Sequence, residues 1–213
     1  MPILPSTDCQ QGIATKFRCG CLAFYIEIPR FGLHIAAGKT TQSEIDSIIG
    51  KNTGAYLVNL ENQYSLIVKN KPMFSKPESR NTHWSIGDNF LHFWFRFIYP
   101  NQTLIEMGKH DLLKLYIVNN YEQYSGLVLE KYFRQKFAEE ETITSIGNFW
   151  DNAGKNEIDL IALNDFDKTA TIAEVKRNPK KISLQVLAMK TAAIQKQLSK
   201  YEISLKALSL NDV

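Results

Sequence analysis

The chain has 213 residues, 44% of them hydrophobic and 22% charged, with a formal net charge of +3. That is enough apolar material for a well-buried core, and the mixture excludes a disordered or fibrous chain. The excess positive charge is small, but it is unevenly spread: residues 174–200 hold Lys176, Arg177, Lys180, Lys181, Lys190, Lys196 and Lys200 against one acid, Glu174. Such a stretch suits a polyanion or a solvated helix face.

Residues 1–32 mix Pro, Cys and Gly without a clear period and receive no assignment. Cys9, Cys19 and Cys21 lack partners at zinc-site spacing, and their odd number, without a secretory leader pattern, leads to the expectation of a reduced, cytoplasmic protein. The longest apolar run, 90–99, is interrupted by His92 and Arg96 and is about half the ~20 residues of a membrane span, so no membrane role is expected.

From Leu33 the pattern becomes regular. Thr41-Gln42-Ser43-Glu44 reads as a helix start, Ile45, Ile48 and Ile49 as its apolar face and Gly50 as its stop. A second helix is predicted over 53–62, with Tyr56, Leu57 and Leu60 on one face, followed by a strand at 64–68, a loop with Pro72 and Pro77, and a return strand at 83–86. Helix, turn, helix, hairpin is the order of a winged helix, assigned to 33–87. In that reading 51–62 is the recognition helix, but it offers Lys51 against Glu61. The wing residues Lys69, Lys71, Lys76 and Arg80 are better phosphate contacts. Protein contact is the competing use of such a module.

Asp88 is a helix N-cap, and residues 89–98 are aromatic on every side, which predicts a buried connector within 88–110. Residues 111–140 read as helix with a break near Gly126. Strands follow at 143–150, 157–163 and 169–175. Asn178-Pro179 caps a helix expected over 180–198, and 203–210 is a last strand. The expected fold is therefore α+β, with an α-β-β-β-α-β domain at 111–213.

Asp159 and Glu174 lie on successive strands whose midpoint falls between Phe166 and Asp167, so they are expected to face each other at roughly 4.5–5.5 Å between Cβ atoms. Two such carboxylates repel unless a cation lies between them. Lys176, two residues after Glu174, emerges on the same strand face. Glu130 sits beside the apolar side of its helix, defined by Phe133 and Phe137, and Glu157 shares a face with Asp159. Hard oxygen ligands suit Mg²⁺ or Mn²⁺, so Glu130, Asp159 and Glu174 are the expected metal ligands and Lys176 the group that holds the attacking water or neutralises charge building on a phosphate. On its own a Glu-x-Lys triplet is more often a solvated cross-strand pair.

Ile158-Asp159-Leu160-Ile161 with Ile172-Ala173-Glu174-Val175-Lys176 resembles the PD-(D/E)xK phosphodiesterase superfamily. Residues 88–97 with Ile146-Gly147-Asn148-Phe149-Trp150 and that carboxylate pair are similar to the C-terminal region, of unknown function, of predicted archaeal-type AAA+ ATPases, over about residues 33–210. The resemblance implies a winged helix followed by a restriction-endonuclease-like domain. It also implies a metal-dependent DNA nuclease, or a non-catalytic DNA-binding or regulatory module acting with an AAA+ ATPase. Arg177, Lys180 and Lys181 join the wing cations as expected nucleic-acid contacts. Gly38-Lys39-Thr40 is not a phosphate-binding loop, because Gly32 is one position too far away, and is read as a turn.

Overall fold

A computed structural model describes residues 28–213 of the chain, so Cys9, Cys19 and Cys21 lie outside the described residues. The fold is α+β, with a two-stranded and a four-stranded sheet. The first helix, α1, is described over 28–36 and ends at Gly38, whose φ of +94° turns the chain into Lys39 and Thr40. Helix α2 (Gln42–Ile49) starts on a reciprocal capping box between Thr41 and Glu44 and stops at left-handed Gly50, as the sequence predicts. Helix α3 (Gly54–Asn62) buries Leu57 and Leu60. Strands β1 (Ile67–Asn70) and β2 (His83–Ile86) form an antiparallel hairpin. The first strand begins three residues later than expected, because residues 63–66 close α3: Leu66 N–H bonds the Leu60 carbonyl, and Ser65 takes a positive φ. These elements enclose a core of Phe31, Ile45, Leu57, Leu60, Ile67 and Trp84. Phe31 and Ile35 bring α1 into it, including part of the stretch the sequence left unassigned.

The aromatic segment is helical: α4 (Asn89–Phe93), capped by Asp88, runs into a π-helical turn at Trp94–Ile98, and α5 (Gln102–Glu106) follows. It is buried on two sides only. Phe95 packs into the first core, so close to α1 that a Cβ on Gly32 would lie 2.7 Å from its ring. Phe97 meets Tyr116 and Tyr124 of the next helix, while Phe90 is exposed.

Helix α6 (His110–Ala138) is continuous through Gly126. A single glycine inside a helix costs about 1 kcal/mol relative to alanine, and Tyr124 and Leu129 on either side are both buried, so packing carries the helix across the expected break. Strands β3 (Ser145–Trp150), β4 (Glu157–Asn164), β5 (Thr169–Val175) and β6 (Glu202–Leu208) form the second sheet in that order, the first three antiparallel and β6 parallel to β5. The predicted helix over 180–198 is shorter. Asn178 caps only a 3₁₀ turn at Pro179–Lys181, Ser183 caps α7 (Leu184–Thr191), and tighter turns carry the chain to β6. Strand alternation sends Leu160, Ala162, Ala173 and Val175 toward α6, where they pack with Leu129, Phe133 and Phe137. It sends Ile161, Leu163, Ala170 and Ile172 toward Leu187 and Ile194 on the α7 side.

The hairpin loop abuts the edge strand β3. Met73 N–H donates to the Asn148 carbonyl at 2.8 Å, Trp150 Nε1 donates to Asn81 Oδ1 at 2.8 Å, and His83 stacks on Trp150 with centroids 4.5 Å apart. Among the described residues no helix is long and apolar enough to cross a membrane.

Candidate active site

Trp150 ends β3 opposite Glu157 at the start of β4, and β5 and β6 both run out at Val175 and Leu208. One end of the sheet therefore gathers the first residues of β4 and the last of β5. The β4–β5 register pairs Leu160 with Ala173, and Asp159 and Glu174 stand one step beyond it. There the ladder gives way to a side-chain contact: Asp159 Oδ2 accepts the Val175 N–H at 2.8 Å. Both carboxylates are buried, Asp159 to 5% exposure and Glu174 to 9%.

Lys176 places its ammonium between them, 3.2 Å from Asp159 Oδ2 and 3.3 Å from Glu174 Oε1. Burial lowers the affinity of this amine for its proton, but the charges of Asp159, Glu174 and Glu130 outweigh burial and hold its pKa above the ordinary lysine value. Lys190, in the last turn of α7, bonds both oxygens of Glu174, at 2.9 and 3.3 Å. Glu174 is thus held between two ammonium groups.

Glu130 approaches from α6. Its carboxyl is pushed up to about 8, first by burial and then by the negative charge of Asp159, with Arg134 and Lys176 opposing the rise. Arg134 lies 3.8 Å from Glu130 and donates at 3.0 Å to the backbone carbonyl of Asp159, so it ties α6 to β4. The acids Glu130, Asp159 and Glu174 are thereby interleaved with Arg134, Lys176 and Lys190. Sequence reasoning found the three acids and Lys176. It missed Arg134 altogether and placed Lys190 only within the basic stretch. An Arg four residues after an inward Glu on one helix face was the available signal for Arg134.

Among the described residues, no three His, Cys, Asp or Glu side chains are grouped closely enough to enclose a metal ion. The chemistry of the donor set fits a narrower demand. Mg²⁺ keeps several waters and is commonly held by one or two carboxylates together with substrate phosphate oxygens, and Asp159 and Glu174 bridged by one cationic group are such a pair.

Of the cations expected to meet nucleic acid, Lys69, Lys71 and Arg80 line one cleft of about 690 Å³ with Thr41, Gln42 and Asn81. None of the four candidate catalytic residues lines it. Its wall nevertheless leads toward them, since Asn81 bonds Trp150 and Trp150 pairs with Glu157, two residues before Asp159. Glu157 itself is exposed. Lys76 is exposed in the same loop without lining the cleft, and Lys71 Nζ bonds the Pro77 carbonyl. Lys180 is exposed on the 3₁₀ turn, Lys181 bonds Glu122 of α6 at 2.8 Å, and Arg177 lies over the Tyr121 ring at 5.7 Å.

A family profile described as archaeal and bacterial proteins of unknown function, DUF234, matches residues 94–201. An uncharacterized protein of Methanocaldococcus jannaschii is 36% identical over 152 residues, which are 67% of this chain and 34% of that protein. The chain thus spans about a third of the length of the curated relative it matches. No solved structure matches significantly.

Proposed function

The chain belongs to this family of archaeal and bacterial proteins of unknown function, and from the chemistry of its sheet end we propose that it is a metal-dependent DNA nuclease of the PD-(D/E)xK type. The observation that carries the proposal is the pair of buried carboxylates, Asp159 and Glu174, bridged by Lys176 at the open end of β4 and β5. Removing two acids from water for the sake of stability alone is poor design, because apolar side chains of similar volume serve a core as well or better. At a reaction centre the same arrangement supplies hard ligands and a mobile positive charge.

In this reading Asp159 and Glu174 would hold Mg²⁺ or Mn²⁺, and Glu130 would have to move closer to join them as a further ligand. When bound, the ion would supply a Lewis acid at a phosphoryl oxygen and water of lowered pKa. The chain's own residues do the positioning. The Val175 N–H fixes one oxygen of Asp159, and Lys190 fixes Glu174 from the α7 side. Lys176 is 38% exposed, so its ammonium can swing toward a phosphate or orient the attacking water. Arg134 anchors the helix that carries Glu130.

The helices α1 to α3 and the hairpin follow the order of a winged helix, and this module together with the sheet domain would bind DNA through Lys69, Lys71, Lys76 and Arg80. Arg177, Lys180 and Lys181 would add phosphate contacts beyond the centre. The cytoplasmic setting expected from the cysteine pattern belongs to the same proposal.

A second reading is favoured by the loose ligand set and by the relative's greater length: a DNA-binding or regulatory module that does not cut and works beside an AAA+ ATPase. The two separate when plasmid and single-stranded DNA are incubated with the protein in Mg²⁺, Mn²⁺ or EDTA. The nuclease reading expects metal-dependent cutting that disappears in Asp159→Ala and Lys176→Ala. Equal cutting by all three proteins would remove the catalytic assignment, and salt-sensitive binding without cutting would favour the module.

A further inference from the structure

Arg177 directly follows Lys176 just past the end of β5, so their Cα atoms are about 3.8 Å apart, yet their charged groups meet different partners. Lys176 turns to the carboxylates. Arg177 turns to α6, where its guanidinium lies over the face of Tyr121 at 5.7 Å. This stacking orients the half-buried guanidinium, as in arginines that bind phosphate. The Arg177 Nε is buried and has no hydrogen-bond partner among the described residues. A buried, oriented donor without an acceptor is an unmet hydrogen-bond demand. One acid within its electrostatic reach is internal. Glu122, one residue after Tyr121 on α6, accepts a bond from Lys181 at 2.8 Å, and the Lys181 hydrogen bond and the charges of Lys181 and Arg177 hold its carboxyl below the ordinary range. Glu122 and Lys181 line an open cleft of about 450 Å³ with Asn119, Asn120 and Gln123.

We propose that Arg177 on its Tyr121 platform, with Lys181, is a binding subsite for a nucleic-acid backbone phosphate next to the one that reaches the carboxylate centre. Glu122 is the resident counter-ion that the phosphate displaces. The proposal rests on the nucleic-acid reading above but does not require cutting. It assigns opposite effects to two neighbouring side chains: Arg177 attracts the ligand, and Glu122 competes with it. Glu122 is exposed, so its replacement leaves the fold intact and gives a readout independent of any damage at Arg177.

The test is fluorescence anisotropy with a labelled single-stranded 20-mer and the corresponding duplex, in EDTA so that nothing is cut, at several salt concentrations. Arg177→Met should weaken binding about tenfold and reduce the salt slope by about one. Arg177→Lys should recover part of the loss, since it keeps the charge but not the planar, stacked donor. Glu122→Gln should tighten binding about threefold, by removing a competing charge. Unchanged affinity and slope in both Arg177→Met and Glu122→Gln would overturn the subsite without touching the nuclease reading. The expected shifts in a protein that cuts no DNA would overturn the nuclease reading and leave the subsite standing.

Discussion

The two halves of the molecule treat their buried polar groups differently. In the first, Thr53 is fully buried at the start of α3, and its hydroxyl and N–H both donate to Asp46 Oδ1, at 2.5 and 2.7 Å. That carboxylate, held below its ordinary range by the Thr53 hydrogen bond, fixes the turn between two helices. Its role is complete within the fold. In the second half the carboxylates of Asp159 and Glu174 stand at the end of strands otherwise filled with Ile, Leu and Ala, and they are balanced by ammonium groups rather than by the backbone alone. The contrast separates polar burial that builds a turn from polar burial whose charges remain able to exchange partners.

Both halves should nevertheless depend equally on their apolar cores, and this sets the largest effects. Phe133→Ala and Leu57→Ala should each destabilise by about 3–4 kcal/mol, read from the urea midpoint, because both residues are almost wholly buried. A much smaller loss at Leu57 would mean that the first half adds little to the stability of the whole. Next comes Lys176→Met, expected to cost about 1–2 kcal/mol, reduced because Lys176 is 38% exposed and Lys190 still faces Glu174. Thr53→Val should cost about 1 kcal/mol and leave any DNA cutting unchanged. Lys39→Met, which removes a 3.6 Å pair with Glu44 at the surface, should cost under about 0.5 kcal/mol.

The same contrast predicts a pH dependence. Glu130 has its folded pKa raised to about 8 from an ordinary 4.5, so between those values the folded protein holds a proton that the unfolded chain releases. The contribution of Glu130 to stability in metal-free buffer should therefore be fullest below pH 4.5 and decline as pH rises toward about 8, while carboxylates held low, such as Asp46, act in the opposite direction at acid pH. Glu130→Gln should flatten that decline in a series of denaturant titrations. Lys176 acts only in the alkaline range, where loss of its proton removes the charge that bridges the carboxylates.

What could be read beforehand follows from the range of the interactions. The Thr41 capping box and the Gly50 stop depend on residues a few positions apart, and both were visible. So was the approach of Asp159 to Glu174, since a short antiparallel connection fixes its register. The continuity of α6 through Gly126 and the splitting of the helix expected over 180–198 were not, because neighbouring elements decide them. Lys190 was hidden for the same reason: its meeting with Glu174 requires the crossover helix to lie on one particular face of the sheet. The stacking of His83 on Trp150 joins residues from separate sheets, and no local period encodes it.

The central claim is that the charges at the sheet end serve a reaction rather than the fold. Its most direct test is the rate at which the protein nicks supercoiled plasmid DNA in Mg²⁺, compared with Glu174→Gln, which keeps the side chain's shape but removes its charge. The account predicts a loss of at least about 100-fold in the variant. Nicking at the wild-type rate would contradict it.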